Sequence, residues 1–349
     1  MRASGADKAG EAQMVRIAML SFAHVHADGY ARQVTESPEA EIRCVWDHDA
    51  ERGRAAAERW KVPFVADLNA VLSDPEVDAV VLNSETDRHT ELILESVRHG
   101  KHVFTEKALT ITTKDADEVV KAVKSAGIKF MISLPSRTTP EVLFMKRVLD
   151  DGLIGDVTLM RARIAHSASL DSWFGGGSAW FGDAKAAGGG ALFDLGCHTV
   201  DVMRWFLGEP SAAVSRVSNF SGRYDIDDNC VMLVEFKNKA LGILDVSWVH
   251  RSGPNMMEIY GTEGCVIRGA PGHGLMFTSR KVRPVDVPAW VQPTELPKAL
   301  PSPMNQWLGA ILRDEPMTIT VEDGRNLTEM LEACYLAARE GREVRFPLT

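Results

Sequence analysis

From Val15 onward, short unbroken apolar runs alternate with stretches in which apolar side chains recur every three or four positions. The runs suit strands buried on both faces, the wider spacing suits helices lying over them, and their alternation predicts βαβ units around a parallel sheet. Strands are expected at 15–20, 42–46, 62–65, 78–83, 102–105 and 129–133, and helices at 27–36, 50–60, 69–72, 89–99 and 113–126, the last closed by Gly127. After Pro135 and Pro140 the texture changes. A helix to 151 and a strand at 157–164 lead into a Gly/Trp-rich stretch at 173–190 and a helix at 191–207. Runs at 230–236 and 240–249 then alternate about a Lys237-Asn238-Lys239 turn, as in an antiparallel sheet. The segment 270–303 carries seven of the sixteen prolines and reads as irregular, before helices at 305–312 and 321–339. The fold class is α/β followed by α+β: a parallel-sheet domain at 15–134, a second domain at 135–349 whose last helix could pack back on the first, and a loose tail at 1–14.

Composition narrows the function classes. The chain has 349 residues, 45% hydrophobic and 25% charged, an ordinary globular balance and a two-domain length. A net charge of -9 repels phosphate backbones and anionic membranes, so nucleic acid and membrane are not expected partners. Five cysteines, odd in number and without a CxxC pair, fit reduced thiols in a cytoplasm. The first fourteen residues have no apolar signal core, and no apolar run reaches membrane-spanning length.

The chemistry sits at the carboxyl ends of the parallel strands, where such sheets bind ligands. The first strand-to-helix turn is Ser21-Phe22-Ala23-His24-Val25-His26, lacking the glycines that usually cradle a pyrophosphate, so the turn either binds phosphate through small residues or binds nothing. Asp47 ends the second strand, placed either to receive ribose hydroxyls or to cap the next helix. With Asp49 and Glu51 it would repel a 2'-phosphate, favouring NAD over NADP. Glu106-Lys107 closes the fifth strand. Lys107 is either a solvated lysine or, with its pKa lowered in a desolvated cleft, a proton relay. In Gly188-Gly189-Gly190-Ala191-Leu192-Phe193-Asp194-Leu195-Gly196-Cys197-His198, Asp194 and His198 share a helical face, either as a local ion pair or as a proton-exchanging couple. His24 and His26 lack the spacing of a zinc site, so no metal is expected. Trp173, Trp180 and Phe181 could wall a sugar ring or serve as core.

Taken together these motifs resemble the glucose-fructose oxidoreductase and inositol dehydrogenase family, the Gfo/Idh/MocA oxidoreductases. The resemblance rests on Gly100-Lys101-His102-Val103-Phe104-Thr105-Glu106-Lys107, on the Gly188 to His198 string with Thr199-Val200-Asp201, and on Tyr260-Gly261-Thr262-Glu263-Gly264. It implies an N-terminal Rossmann dinucleotide-binding domain, a C-terminal domain with an open, mainly antiparallel sheet that joins a homodimer or homotetramer, and catalytic roles for Lys107, Asp194 and His198. The chain departs from the family in its glycine-free turn and in Ala108, where a proline usually follows Glu-Lys; an alanine is not expected to copy a cis-proline bend.

The resulting expectation is an NAD-dependent enzyme that moves a hydride between nicotinamide and a secondary hydroxyl or ketone of a sugar, inositol or related polyol. The alternatives are a lyase or glycosidase with internally recycled NAD, and a non-catalytic ligand-binding homologue. Candidate cofactor contacts are Ser21, Phe22, Ala23, His24, His26, Asp47, His48, Asn83, Ser84, Glu85, His89, Glu106 and Lys107. Candidate substrate contacts are Lys107, Arg137, His166, Trp173, Trp180, Asp183, Lys185, Asp194 and His198.

Overall fold

The computed structural model describes residues 14–272, 274–282 and 290–348. The first domain alternates strands and helices as expected: β1 (Val15–Leu20), α1 (Ala27–Glu36), β2 (Ala40–Trp46), α2 (Ala50–Trp60), α3 (Leu68–Ser73), β3 (Ala79–Leu82), α4 (His89–Arg98), β4 (His102–Thr105), α5 (Thr113–Ala126) and β5 (Phe130–Ile132). The strands form a five-stranded parallel sheet in the order β2-β1-β3-β4-β5. Every residue of β3 is buried, as a strand covered by helices on both faces must be. Local signals set the helix ends. The Asp49 carboxylate caps α2 by accepting from Glu51 N and Arg52 N, Thr112 caps α5, and Gly127 ends α5 with φ +66°.

The strand expected at 62–65 is absent. Pro63 has no N–H to give, and the segment makes a single parallel bridge, Phe64 to Val45. The sheet therefore has five strands rather than six. Its order reverses between β1 and β3, which opens a crevice at their carboxyl ends.

A 3-10 turn at Pro135–Thr138 leads to α6 (Pro140–Asp150), β6 (Val157–Ala165), α7 (Ala168–Asp171), a 3-10 segment at Gly176–Gly182, α8 (Ala184–Ala187), a π turn at Leu192–Gly196 and α9 (Cys197–Leu207). Then follow β7 (Pro210–Ser218), β8 (Asn229–Phe236), β9 (Leu241–Ser247), β10 (Met257–Gly261), β11 (Gly264–Arg268), β12 (Leu275–Ser279), α10 (Pro303–Arg313), α11 (Val321–Glu340) and β13 (Val344–Arg345). The second sheet has eight strands in the order β12-β11-β10-β6-β9-β8-β7-β13. All neighbours are antiparallel except β6 and β9. The stretch read as irregular contains β12, which pairs with β11, while 283–289 lies outside the described residues.

On β8 the side chains alternate, with Cys230, Met232, Val234 and Phe236 buried beneath α9 and α11. The C-terminal helices also reach the first domain: α10 packs on β4 and β5, α11 packs on α5, and buried Trp307 donates from Nε1 to the Lys129 carbonyl. The two sheets thus share one hydrophobic core, and the second domain's loops overhang the first domain's crevice.

Candidate active site

The crevice is floored by three strand ends. After β1, Ser21 takes φ +70°, the left-handed conformation that a glycine would ordinarily supply, and its hydroxyl bonds Asp47 Oδ2 at 3.2 Å. Phe22 N donates to Asp47, Ala23 N to Ser21 Oγ, His24 N to the Asn83 carbonyl and His26 N to His24 Nδ1. Val25, just before α1, is exposed.

Asp47 stands at the end of β2 as expected, turned inward onto Arg52. Its side chain is fully buried and both oxygens are held by Arg52, at 2.7 and 2.8 Å. It does not cap α2, a task that falls to Asp49. The partly exposed groups at this edge are Arg52 and His48, both against Glu85, whose carboxyl they draw down to about 2 although burial opposes it. After β3, Asn83 and Ser84 are buried, with Ser84 Oγ on the Glu85 carbonyl. Among the described residues Asn83 Oδ1 and Glu85 Oε2 are buried without a hydrogen-bond partner, the Arg88 guanidinium lying 3.9 Å from the latter. His89 turns inward, its ring nitrogens on the carbonyls of Ala108 and Ser84, so it braces the turn after β4 instead of facing the crevice.

That turn carries Glu106 and Lys107. The Lys107–Ala108 peptide is cis, contrary to the expectation for alanine, in a turn clamped by His89. Lys107 Nζ reaches the second domain, lying 2.8 Å from Asp194 Oδ1 and 2.6 Å from the Asp194 carbonyl. Burial pulls the Lys107 pKa down, but Asp194 above all, together with Cys197 and Glu106, pulls it up, and the net shift is upward. The expected lowering is therefore reversed, because the desolvated ammonium has a carboxylate partner. Asp194 is held as a carboxylate by the same contact against the effect of burial, and Trp248 Nε1 donates to its other oxygen at 3.2 Å.

Asp194 sits in the π turn that opens α9 and pairs with Lys107 across the crevice, not with His198, so the local ion pair does not form. Such turns recur at functional sites. The glycines before it permit close packing: a Cβ on Gly190 would lie 1.8 Å from the Asp227 carbonyl, and one on Gly189 would strike Tyr335. Partly buried His198 is held to about 4 by desolvation and then by the Lys107 charge, and among the described residues its Nδ1 has no hydrogen-bond partner.

The Gly/Trp-rich segment roofs the cluster. Trp180 Nε1 donates to the Ala23 carbonyl at 3.0 Å, and Trp180 and Phe181 cover His24, which burial lowers to about 3. Thr86, Lys107, Ala108, Trp180, Phe181, Ala187, Gly189, Phe193 and Asp194 enclose about 10 Å³, room for one water. His166 stacks between exposed Trp173, at 4.7 Å, and Trp248, at 6.5 Å.

Three expected substrate residues do not line the cavity between Lys107 and Asp194. Arg137 is buried in ion pairs with Asp201 and Asp323 over the Trp205 ring, because a guanidinium inside the fold needs carboxylates. Asp183 is exposed and caps α8, and Lys185 is exposed on that helix. Conversely, Trp248, Arg52 and Tyr30 were not foreseen. Tyr30 lies on the buried face of α1 and bonds Glu106, which also meets His26 Nδ1 at 2.8 Å. No metal site was expected, yet His24, His26 and Glu106 bring ligand atoms within 4.8 Å of one another.

The cleft fits a dinucleotide at the turn after β1, at the buried Asn83 and Glu85 oxygens that lack a hydrogen bond among the described residues, and at the β1/β3 switch point. Comparison with known proteins agrees. A model described as the oxidoreductase family, NAD-binding Rossmann fold, matches residues 16–134, and the GFO/IDH/MocA C-terminal domain model matches 142–267. The chain belongs to the Gfo/Idh/MocA oxidoreductases. Its first domain is the NAD-binding domain of that family. Among curated members, it is 29% identical to 1,5-anhydro-D-fructose reductase of Ensifer adhaerens over 65% of this chain and 68% of that one. It is 27% identical to scyllo-inositol 2-dehydrogenase (NAD(+)) of Bacillus subtilis over 74% and 75%. Among solved structures, GenD2 from gentamicin A biosynthesis, in complex with NAD, superposes with a TM-score of 0.81 at 26% identity over the full length of both chains. Levoglucosan dehydrogenase bound to NADH and L-sorbose shares the fold, with a TM-score of 0.84 at 20% identity over 95% of this chain and 99% of that one.

Proposed function

We propose that this oxidoreductase transfers a hydride between NAD and a secondary hydroxyl or ketone of a sugar, inositol or related polyol. The observation that carries the reading is the Lys107–Asp194 pair, which lines one cavity with Trp180 and Phe181, near His198 Nδ1, which lacks a hydrogen-bond partner among the described residues. Bound NAD supplies the hydride acceptor or donor. Ser21 to His26 would hold its pyrophosphate end, His48 and Arg52 the adenosine ribose end, and Asn83 and Glu85 the region between the strand ends. In ketone reduction, the Lys107 ammonium donates a proton to the carbonyl oxygen, and Asp194 orients it. In the reverse direction the same path runs backward, the deprotonated Lys107 amine taking the hydroxyl proton. Trp180, Trp173 and His166 offer flat faces to the C–H faces of a ring.

The substrate class is supported by relatives named for anhydrofructose and scyllo-inositol. Five free, buried cysteines support a reducing compartment such as the cytoplasm, and among the described residues no helix is long and apolar enough to cross a membrane. The exposed apolar face of the second sheet supports a homo-oligomer.

The experiment is a screen of sugars and polyols with NAD, read at the NADH absorbance band, alongside calorimetric titration of the cofactor. Turnover that falls about 10²- to 10⁴-fold in Lys107→Ala with NAD binding retained is expected. Cleavage without NADH accumulation would point instead to a lyase with recycled cofactor, and absence of NAD binding would overturn the proposal.

A further inference from the structure

Two imidazoles stand where the first turn of this fold usually carries small residues, and both turn toward one buried carboxylate. His24 Nδ1 is 3.6 Å and His26 Nδ1 is 2.8 Å from Glu106 Oε1. Two histidines and one glutamate are the three-ligand set of open zinc sites, in which a fourth position stays free for an oxygen ligand.

The charge balance of the pocket calls for a cation. Lys107 spends its ammonium on Asp194. Among the described residues, Glu106, wholly buried, is hydrogen-bonded by the Tyr30 hydroxyl, the Lys107 backbone N–H and the His26 ring, with the His24 ring at 3.6 Å. Among these three side chains Lys107 counts as +1 and Asp194 and Glu106 as -1 each, an excess of one negative charge that a cation held between Glu106 and the two imidazoles would balance. Outer contacts orient the ligands as they do in metal centres: Tyr30 OH bonds both Glu106 and Ser133 Oγ, and Trp180 and Phe181 enclose the His24 ring. His26, with its side chain half exposed, gives the entry path.

We propose that His24, His26 and Glu106 bind one divalent transition-metal cation of the zinc class at the head of α1, next to the Lys107–Asp194 pair. Its open coordination position takes a water or a substrate hydroxyl oxygen. The site requires neither the sugar reading nor bound NAD.

The test uses the full chain treated with chelator and dialysed. Zinc is titrated calorimetrically, and cobalt is followed by its visible absorption. One equivalent of zinc and the strong visible bands of low-coordinate cobalt are expected. His26→Ala, at a half-exposed position where folding is checked by circular dichroism, is expected to weaken zinc by more than the roughly 10- to 100-fold loss typical of an outer-shell partner. Tyr30→Phe is expected to fall within that smaller range. Failure to bind zinc stoichiometrically, or equal affinity in His26→Ala, overturns the proposal. NAD titrated into the same metal-free protein is a separate readout, so loss of one reading leaves the other standing.

Discussion

Lys107 and Asp194, 87 residues apart and in different domains, meet at 2.8 Å in a cavity that has room for one water. The contact joins the end of a parallel strand to a π turn, so it forms only when the two domains are docked. Its consequence is electrostatic. Burial acts to lower the Lys107 pKa, and Asp194 is the largest of the charges that turn the net shift upward.

Replacing Asp194 with Asn therefore removes the charge that holds the Lys107 proton, and desolvation then acts without opposition. The Lys107 pKa moves down. In the direction that oxidises a hydroxyl, the ascending limb of kcat/KM against pH is expected at lower pH than in the wild type, with a lower plateau. A limb at an unchanged pH would show that Lys107 is not the titrating group.

Arg137 gives a contrasting case. Buried between Asp201 and Asp323, it ties the 3-10 turn before α6 to α9 and α11. Arg137→Ala leaves Asp201 buried and unpaired, a loss of about 3 to 5 kcal/mol on the scale of broken buried pairs. Denaturant unfolding should show that loss, while KM in the folded fraction stays near the wild-type value. A raised KM at unchanged stability would return Arg137 to the substrate site.

Acid should weaken the fold. His24 is held to about 3 and His198 to about 4, both below the ordinary 6.5, so between those values the unfolded chain binds more protons than the folded one. Stability is thus fully present above about pH 6.5 and is lost as pH falls toward 4, by an amount on the order of a few kcal/mol for each desolvated histidine. Glu106 and Asp194, both held down, add to the loss below the carboxylate range. Urea midpoints at pH 7 and pH 5 measure this, and His198→Gln should flatten the difference.

What could be read from sequence follows from how local each signal is. The bounds of α1, α2 and α5 come from caps and periodicity within a few residues, and β3 declares its burial by its own composition. Lys107, Asp194 and His198 were found because their surrounding strings resemble a family. Pairings set by tertiary packing were not legible: Arg137 finds Asp201 64 positions away, and Arg52 takes Asp47 from the cofactor edge. The π turn was hidden too, since the Gly188 string has the spacing of an ordinary helix. The Glu106–His26 contact spans 80 residues and nothing in either local pattern announces it.

The last prediction concerns the face of the second sheet turned away from its helices. A strand with one wet face should alternate apolar and polar residues, yet the outward positions of β8 include Val231, 52% exposed, and Leu233, 37% exposed. In register with Leu233 stand Val214 on β7 and Ile243 on β9, so the row continues across three strands. An apolar row of this kind is self-complementary under two-fold symmetry, since the same patch on a second copy presents the same side chains. The wild-type chain is expected to run as a dimer or larger assembly in light scattering coupled to gel filtration. Leu233→Lys places a charge in the middle of the row and is expected to reduce the mass toward that of one chain without lowering thermal stability by more than a surface substitution would. A wild type already at monomer mass, or a variant that keeps its assembly, would show that this face is not the contact.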